Sequence, residues 1–350
     1  MTSFLRVCIF LVSLLSAASA VKISKAYPMA SKGTYPRAIV LRDGSLLGTV
    51  SYKTPNSPAG YQVITTVISR NNGTSWKDHG VVINAPGDNW NQFLLQLPNG
   101  RVLCAFHDHQ YKADQKTFAE FRITIYYSDD LGKTWKLLSR PEVRKAKTIS
   151  NGMWEPFLRF SKDKVLQLFY SSENHSEDQN SLMRTSADGG KTWSAAKTIS
   201  GSDVRQRDGM LGVANYGGKK LIAVFETTVN GHFEVWSITS PDDGKTWGNR
   251  RRVYATKAKN ANAGSPQVNL VGNTLVCSFM TDEEKPIGWA SGAAMKIVMS
   301  VDGGASWHNK TTIFTNEPST FWPGMYTLDK NNFLAMAAQN GPKVRKVQLR

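Results

Sequence analysis

Apolar and polar residues alternate with a period of two along much of the chain, as in FRITIYY before Ser128 and HFEVWSIT before Ser240. That period predicts half-buried β-strands. A strand of the form apolar-apolar-x-x-apolar, closed by a variable residue, recurs six times as LLGTVS, VLCAFH, VLQLFY, LIAVFE, LVCSFM and FLAMAA. Its variable residues are Ser51, His107, Tyr170, Glu226, Met280 and Ala338. Ahead of each copy lies a segment read as the innermost strand of a sheet: TYPRAIVL, NWNQFLLQL, WEPFLRF, RDGMLGVA, AGSPQVNL and WPGMYTL.

A turn of the form Ser-x-Asp-x-Gly-x-Thr/Ser-Trp punctuates these strands five times, ending at Trp76, Trp135, Trp193, Trp247 and Trp307. The intervals between those tryptophans are 59, 58, 54 and 60 residues, a period that marks a repeat architecture. The Asp accepts hydrogen bonds from backbone N–H groups just ahead of it, the Gly supplies a positive φ, and the Trp lays an apolar face beneath the turn. Asn71 takes the Asp position in the first copy. A feature repeated five times at a fixed period belongs to the fold, so Asp130, Asp188, Asp242 and Asp302 are read as structural. Together the repeats predict one all-β, six-bladed β-propeller of four-stranded blades over residues 21–350.

Residues 1–20 read differently. Arg6, the apolar run VCIFLVSLL and the small residues Ala18-Ser19-Ala20 form a secretory signal pattern, so the mature protein is expected to start at Val21 and to be secreted. No later apolar run approaches the length of a membrane span. With Cys8 in the leader, Cys104 and Cys277 remain, each inside an apolar strand, and are expected as buried free thiols. Asn72, Asn174 and Asn309 head glycan-acceptor sequences.

Charge widens the picture of the partner. The chain carries 43 Lys and Arg against 27 Asp and Glu, a formal +16 that either serves solubility or favours polyanions such as pectic polysaccharide, acidic glycans or nucleic acid. No basic stretch interleaves with aromatics as a nucleic-acid groove requires. A polysaccharide is therefore the expected partner, with no nucleic acid, no membrane, and the chain read as a monomer. His107 and His109 share a strand face, but without a Cys pair, HExxH or an acidic calcium loop neither a metal nor another cofactor is expected.

The chemistry sits where the inner strands begin. These starts gather Arg37, Asp88, Asn89, Asn91, Glu155, Arg207, Asp208, Gln267 and Tyr326, with Trp90, Trp154 and Trp322 alongside. Acids, amides, arginines and flat apolar faces at one end of a propeller suit sugars. Glu226 is the one carboxylate among the six variable residues, and on an otherwise apolar face it must be solvated, paired or functional. Glu155 lies between Trp154 and Pro156, which bias it towards an extended, water-shielded setting, and desolvation suits a general acid. Both glutamates belong to adjacent repeats and are expected to share one central cleft.

The five turns are the Asp boxes of the sialidase-like, BNR-repeat β-propellers, and the resemblance covers nearly the whole mature chain. YPRAIVLRDGSLL, LPNGRVLCAFHDH, WEPFLRF, RDGMLGVA with AVFE, and AGSPQV with SFMTDEE resemble the fungal exo-α-1,5-L-arabinanases of glycoside hydrolase family 93. That family is six-bladed and releases arabinobiose from arabinan with retention. The resemblance implies Glu226 as nucleophile, Glu155 as general acid/base and Tyr326 beside the nucleophile. It implies substrate contacts from Arg37, His107, Arg207 and Gln267, and Asn89, Asn91, Trp154 and Trp322 are read as further substrate contacts from their place at the strand starts. Asp208 departs from the pattern, standing where a proline is expected.

Two rival readings stay open. A sialidase would hold its substrate carboxylate with three arginines. Arg37 and Arg207 supply two, Tyr326 with Glu226 mimics the nucleophilic pair, but the blade of Gln267 offers no arginine and GTVSYKTPNS offers Lys53 in place of an acid. A carbohydrate-binding propeller without activity is the other rival, although it has no need of both Glu155 and Glu226.

Overall fold

A computed structural model describes residues 21–54, 61–147 and 150–350. The expected leader, 1–20, lies outside the described residues. Six antiparallel sheets form the blades, with innermost strands Thr34–Val40, Asp88–Gln96, Met153–Phe160, Gly209–Gly217, Ala263–Val271 and Phe321–Thr327. Each inner strand packs against those of its two neighbours, and the sixth returns to the first, so they line one closed ring.

Blades 1 to 5 each take four consecutive strands. Blade 6 has only three from the C-terminal end and is completed by Lys22–Ile23 and Tyr27–Pro28, which pair with Pro342–Gln348. This explains why six blades carry five Asp boxes. The box is the turn from third to fourth strand, and in blade 6 no chain makes that connection.

The boxes themselves are closed hydrogen-bond units. In each, the Ser hydroxyl accepts from the Gly N–H at 2.8–2.9 Å and donates to the Asp or Asn at 2.7–3.0 Å. Trp76, Trp135, Trp193 and Trp247 donate their indole N–H to the carbonyl of the box glycine. Side-chain and backbone donors of Thr246 hold the Asp242 carboxyl down to about 2.

Apolar faces of successive blades interlock to form the core, as where Ile222 and Val224 of blade 4 meet Val268 and Phe279 of blade 5. Cys104 and Cys277 are free and buried within such layers. Burial pushes both thiols far up, so neither is reactive.

One register differs from the pattern read in the sequence. Ser51, His107, Glu226, Met280 and Ala338 do occupy equivalent places, opposite Thr34, Trp90, Gly209, Gly264 and Phe321. In blade 3 that place, opposite Trp154, belongs to Ser171 rather than Tyr170. A slip of one residue turns the side chain to the other face of the sheet. Tyr170 accordingly points into the blade packing, its hydroxyl 3.2 Å from Glu142 and from Arg184.

Candidate active site

Every inner strand starts with the same defect. After its first one to three paired residues the strand inserts one extra residue before pairing resumes, as between Thr34 and Arg37, Trp154 and Phe157, or Phe321 and Gly324. The residue that opens the insertion then takes a left-handed backbone: Tyr35 (φ 53°), Asn91 (56°), Glu155 (50°), Met210 (50°), Ser265 (52°) and Trp322 (57°). For L-residues this costs about 1–2 kcal/mol each, offset by the packed blades around it. A bulge re-aims a side chain, and six repeated bulges aim six side chains at one axis.

Contacts between blades show the convergence. The Tyr35 and Trp322 rings lie 6.2 Å apart, the Arg37 guanidinium sits 4.0 Å over the Tyr35 ring, and Glu155 makes itself felt at the Tyr35 phenol. Burial, opposed by Arg37 and assisted by the Glu155 charge, pushes that phenol up to about 12. It is therefore a neutral hydrogen-bond donor.

Glu226 reaches the same space from the end of Lys220–Val229, opposite Gly209. Its Oε2 accepts the backbone N–H of Ser265 at 2.6 Å, and the left-handed bulge at Ser265 presents that N–H. Gly264 must be glycine here, since a Cβ would stand 2.5 Å from Glu226 Oε2 and 2.6 Å from the Trp289 ring. At Gly209 a Cβ would stand 2.0 Å from Gln179 Nε2 and would have to displace that amide.

The two carboxyls share one electrostatic environment. Burial, then the Glu226 charge, raises Glu155 to about 8, against the pull of Ser171, Met210 and Arg207. Burial raises Glu226 to about 7, against the Ser265 N–H and Arg207. Both keep part of their surface open to the cleft while protein encloses the rest. One Glu155 oxygen has no hydrogen-bond partner, so the proton has an acceptor to reach only when a ligand enters.

Arg207 stands by the pair and is tied to blade 3 by three hydrogen bonds. Its guanidinium donates to Ser176 O (2.7 Å), Glu173 Oε1 (2.8 Å) and Gln179 Oε1 (3.0 Å). Arg37 is buried and gives Nη1 to the carbonyls of Pro36 and Trp322, at 2.8 and 3.1 Å, while its Nη2 has no partner. Asn91 and Trp322 lie on the bulge ring, and Gln267 lies one step below it with Arg37.

Four expected contacts fall elsewhere. Tyr326 is further along its strand, opposite Leu334, and packs among apolar residues of blades 1, 2 and 6 beside an axial cavity of about 470 Å³ that neither carboxyl lines. Asn89 is buried and donates to the carbonyls of Gln62 and Ala85, tying blade 2 to blade 1. His107 is buried with its ring stacked 4.3 Å from His109, both rings edge-on to Trp154 at 5.2 and 4.8 Å. Trp154 folds back over Gly152 rather than over Glu155, so these rings back the acid's strand instead of touching the cleft. Asp208, out of pattern in the sequence, is buried against Arg250, Thr227 and Ser200.

Residues 36–207 match the BNR repeat-like domain. The chain is a six-bladed β-propeller of the sialidase-like fold. Among solved structures, it is similar to the GH93 α-L-arabinofuranosidase of Fusarium graminearum with arabinobiose (22% identity, 93% of this chain and 98% of that one, TM-score 0.74). It is also similar to an α-L-arabinanase of Penicillium chrysogenum complexed with arabinobiose (18%, 94% and 98%, 0.72). A sialidase from Streptococcus pneumoniae shares the fold at 11% identity, over 94% of this chain and 70% of that one, with a TM-score of 0.61. No curated protein sequence matches the chain.

Within this propeller the sequence reading missed Tyr35, Ser265, Glu173, Gln179 and Trp289. Trp289 comes from the loop after the second strand of blade 5 and rests on Phe233 at 5.1 Å, beside Glu226. Tyr35 and Ser265 were reachable through the repeat itself, as the residues aligned with Glu155 in the other inner strands.

Proposed function

We propose that the protein is a secreted, retaining exo-glycosidase that releases arabinobiose from α-1,5-linked arabinan of plant cell walls. The observation that carries this reading is the division of labour between two enclosed carboxyls. Glu155, raised to about 8 with one oxygen unpartnered, keeps its proton at neutral pH and is the acid. Glu226, raised less and bonded by the Ser265 N–H, ionises first and is the nucleophile.

In the first half-reaction Glu155 gives its proton to the glycosidic oxygen while a Glu226 oxygen attacks the anomeric carbon. The glycosidic bond breaks and a glycosyl ester forms. In the second, Glu155 takes a proton from water, the resulting hydroxide attacks the anomeric carbon, and Glu226 leaves as carboxylate. Glu155 ends protonated and Glu226 ionised, as they began.

A neutral sugar suits the cations of the site. Arg207 is ion-paired with Glu173 and held by Gln179 and Ser176, so its charge is already matched, which leaves Arg37 as one arginine with an open nitrogen, where a substrate carboxylate would call for a cluster. Two solved structures of this fold hold arabinobiose, which supports the same sugar class here. The positive charge would hold the enzyme on pectin, and binding to pectin that stays flat across a salt series counts against that part.

The test is product analysis after separate incubation with linear arabinan and a sialyl-lactose. Arabinobiose from arabinan alone, formed first as the anomer of the substrate linkage by NMR, supports the reading. Free sialic acid moves the assignment to a sialidase, and silence on both leaves a binding propeller. N-terminal sequencing of protein exported by a eukaryotic host checks the leader, with Val21 expected first.

A further inference from the structure

Beside the cleft, on the face where the inner strands begin, blades 1 and 2 enclose a groove of about 340 Å³ lined by Tyr61, Gly87, Gln110, Tyr111, Lys112 and Gln115. We propose that this groove binds the leaving portion of a polysaccharide chain whose scissile bond lies at Glu155 and Glu226. The proposal rests on the glycosidase reading above and adds where the polymer goes.

Position supplies the first argument. The second strand of blade 2, Val102–Tyr111, runs past His107 for four residues to Tyr111, roughly 13 Å at 3.3 Å per residue. Asp88 joins the two places, since its carboxylate is 3.4 Å from His107 Nε2 and its charge, with burial, raises the Tyr111 phenol. His107 in turn lies edge-on to Trp154, the neighbour of Glu155. The groove thus lies at the end of blade 2 where its inner strand begins, the same end at which Glu155 stands in the neighbouring blade 3.

Mechanism supplies the second. A general acid stands next to the oxygen of the departing sugar, so the remainder of the polymer leaves on the side of blades 2 and 3. Chemistry supplies the third. Phe118 stacks on Tyr111 at 4.6 Å and 29°, fixing that ring, and Tyr61, Gln110 and Gln115 add a second aromatic and two amides. Flat apolar faces framed by amides suit neutral sugar rings.

The experiment compares kcat/KM on long linear arabinan and on a short aryl arabinoside for wild type, Tyr111→Ala, Tyr61→Ala and Tyr111→Phe. Both alanine variants should lose about tenfold on the polymer with the aryl glycoside unchanged, as for one lost stacking contact, and Tyr111→Phe should retain the wild-type ratio. Parallel loss on both substrates, or no loss on the polymer, overturns the proposal. If wild type turns over neither substrate, the catalytic reading fails, and the groove is then judged by affinity electrophoresis in gels containing arabinan, galactan or xylan. Retardation by one of these glycans that disappears in Tyr61→Ala and Tyr111→Ala supports the groove, and retardation unchanged by both, or absent throughout, overturns it.

Discussion

Carboxylates at the two ends of the same blades meet opposite fates. At the Asp-box end, Asp188 accepts from Ser186 Oγ, from the N–H groups of Lys191 and Thr192, and from Thr192 Oγ1, and these donors hold it far below the usual carboxylate range. At the cleft end, Glu226 has one backbone donor and Glu155 an oxygen with none, and burial raises both. The difference lies in how many donors the backbone provides. A tight turn curls several N–H groups around one acid, whereas a bulge offers Glu226 one N–H, from Ser265, and leaves the rest of its bonding for a ligand.

The sharpest way to break this contrast is to neutralise one member of the pair. Glu226→Gln should lower kcat on arabinan by at least about a thousandfold while the variant still binds the polymer, and retention of turnover would remove the nucleophile from the scheme. The wild-type rate should follow a bell in pH. It rises as Glu226 ionises near 7 and falls as Glu155 loses its proton near 8, so a plateau extending past pH 9 would contradict the assignment of the acid. Gly264→Ala tests the approach of blade 5 to Glu226. Its methyl would push on the carboxylate and on Trp289, and displacement of that order costs about a hundredfold in kcat, against little change in binding measured with Glu226 intact.

The end with many donors was the more legible in sequence, for a physical reason. An Asp box is made by contacts within eight consecutive residues, so residue types at fixed offsets specify it completely, and Asn71 kept its role because an amide oxygen accepts the same Ser75 N–H. The cleft is made by six strands far apart in sequence. Glu155 and Glu226 stood out as isolated acids in apolar repeats, but Tyr35 and Ser265 take left-handed backbones that nothing in their residue types announces. Asn89 was placed by polarity and Tyr326 by polarity and resemblance, neither of which distinguishes a residue on the bulge from one a few residues along the strand. The inserted residue also disturbs alternation across the inner pair, and the one-residue error at Tyr170 arose within such a pair.

Removing one internal donor of a box should cost stability and nothing else. Ser128→Ala deletes the hydroxyl that accepts from Gly132 N at 2.8 Å and donates to Asp130, leaving a buried N–H unpaired at about 1–3 kcal/mol. Tm should fall by several degrees with kcat/KM unchanged, and a matching loss of activity would mean that the boxes bear on the cleft after all.

The converse holds at the other end, where removing an ionisable group should stabilise the fold in one direction of pH. An unfolded Glu releases its proton near 4.3, while native Glu155 keeps its own to about 8, so between those values the native state binds a proton that the unfolded state lacks. Stability therefore falls as pH rises through this window, and the penalty is complete above the native value. Glu155→Gln has no proton to lose. Its Tm should match wild type at pH 4 and exceed it by a few degrees at pH 8.5, with activity on arabinan lost at both. Equal Tm values at both pH values would mean that Glu155 is as well solvated as an Asp-box carboxylate, and the contrast between the two ends of the blades would no longer explain which acid does chemistry.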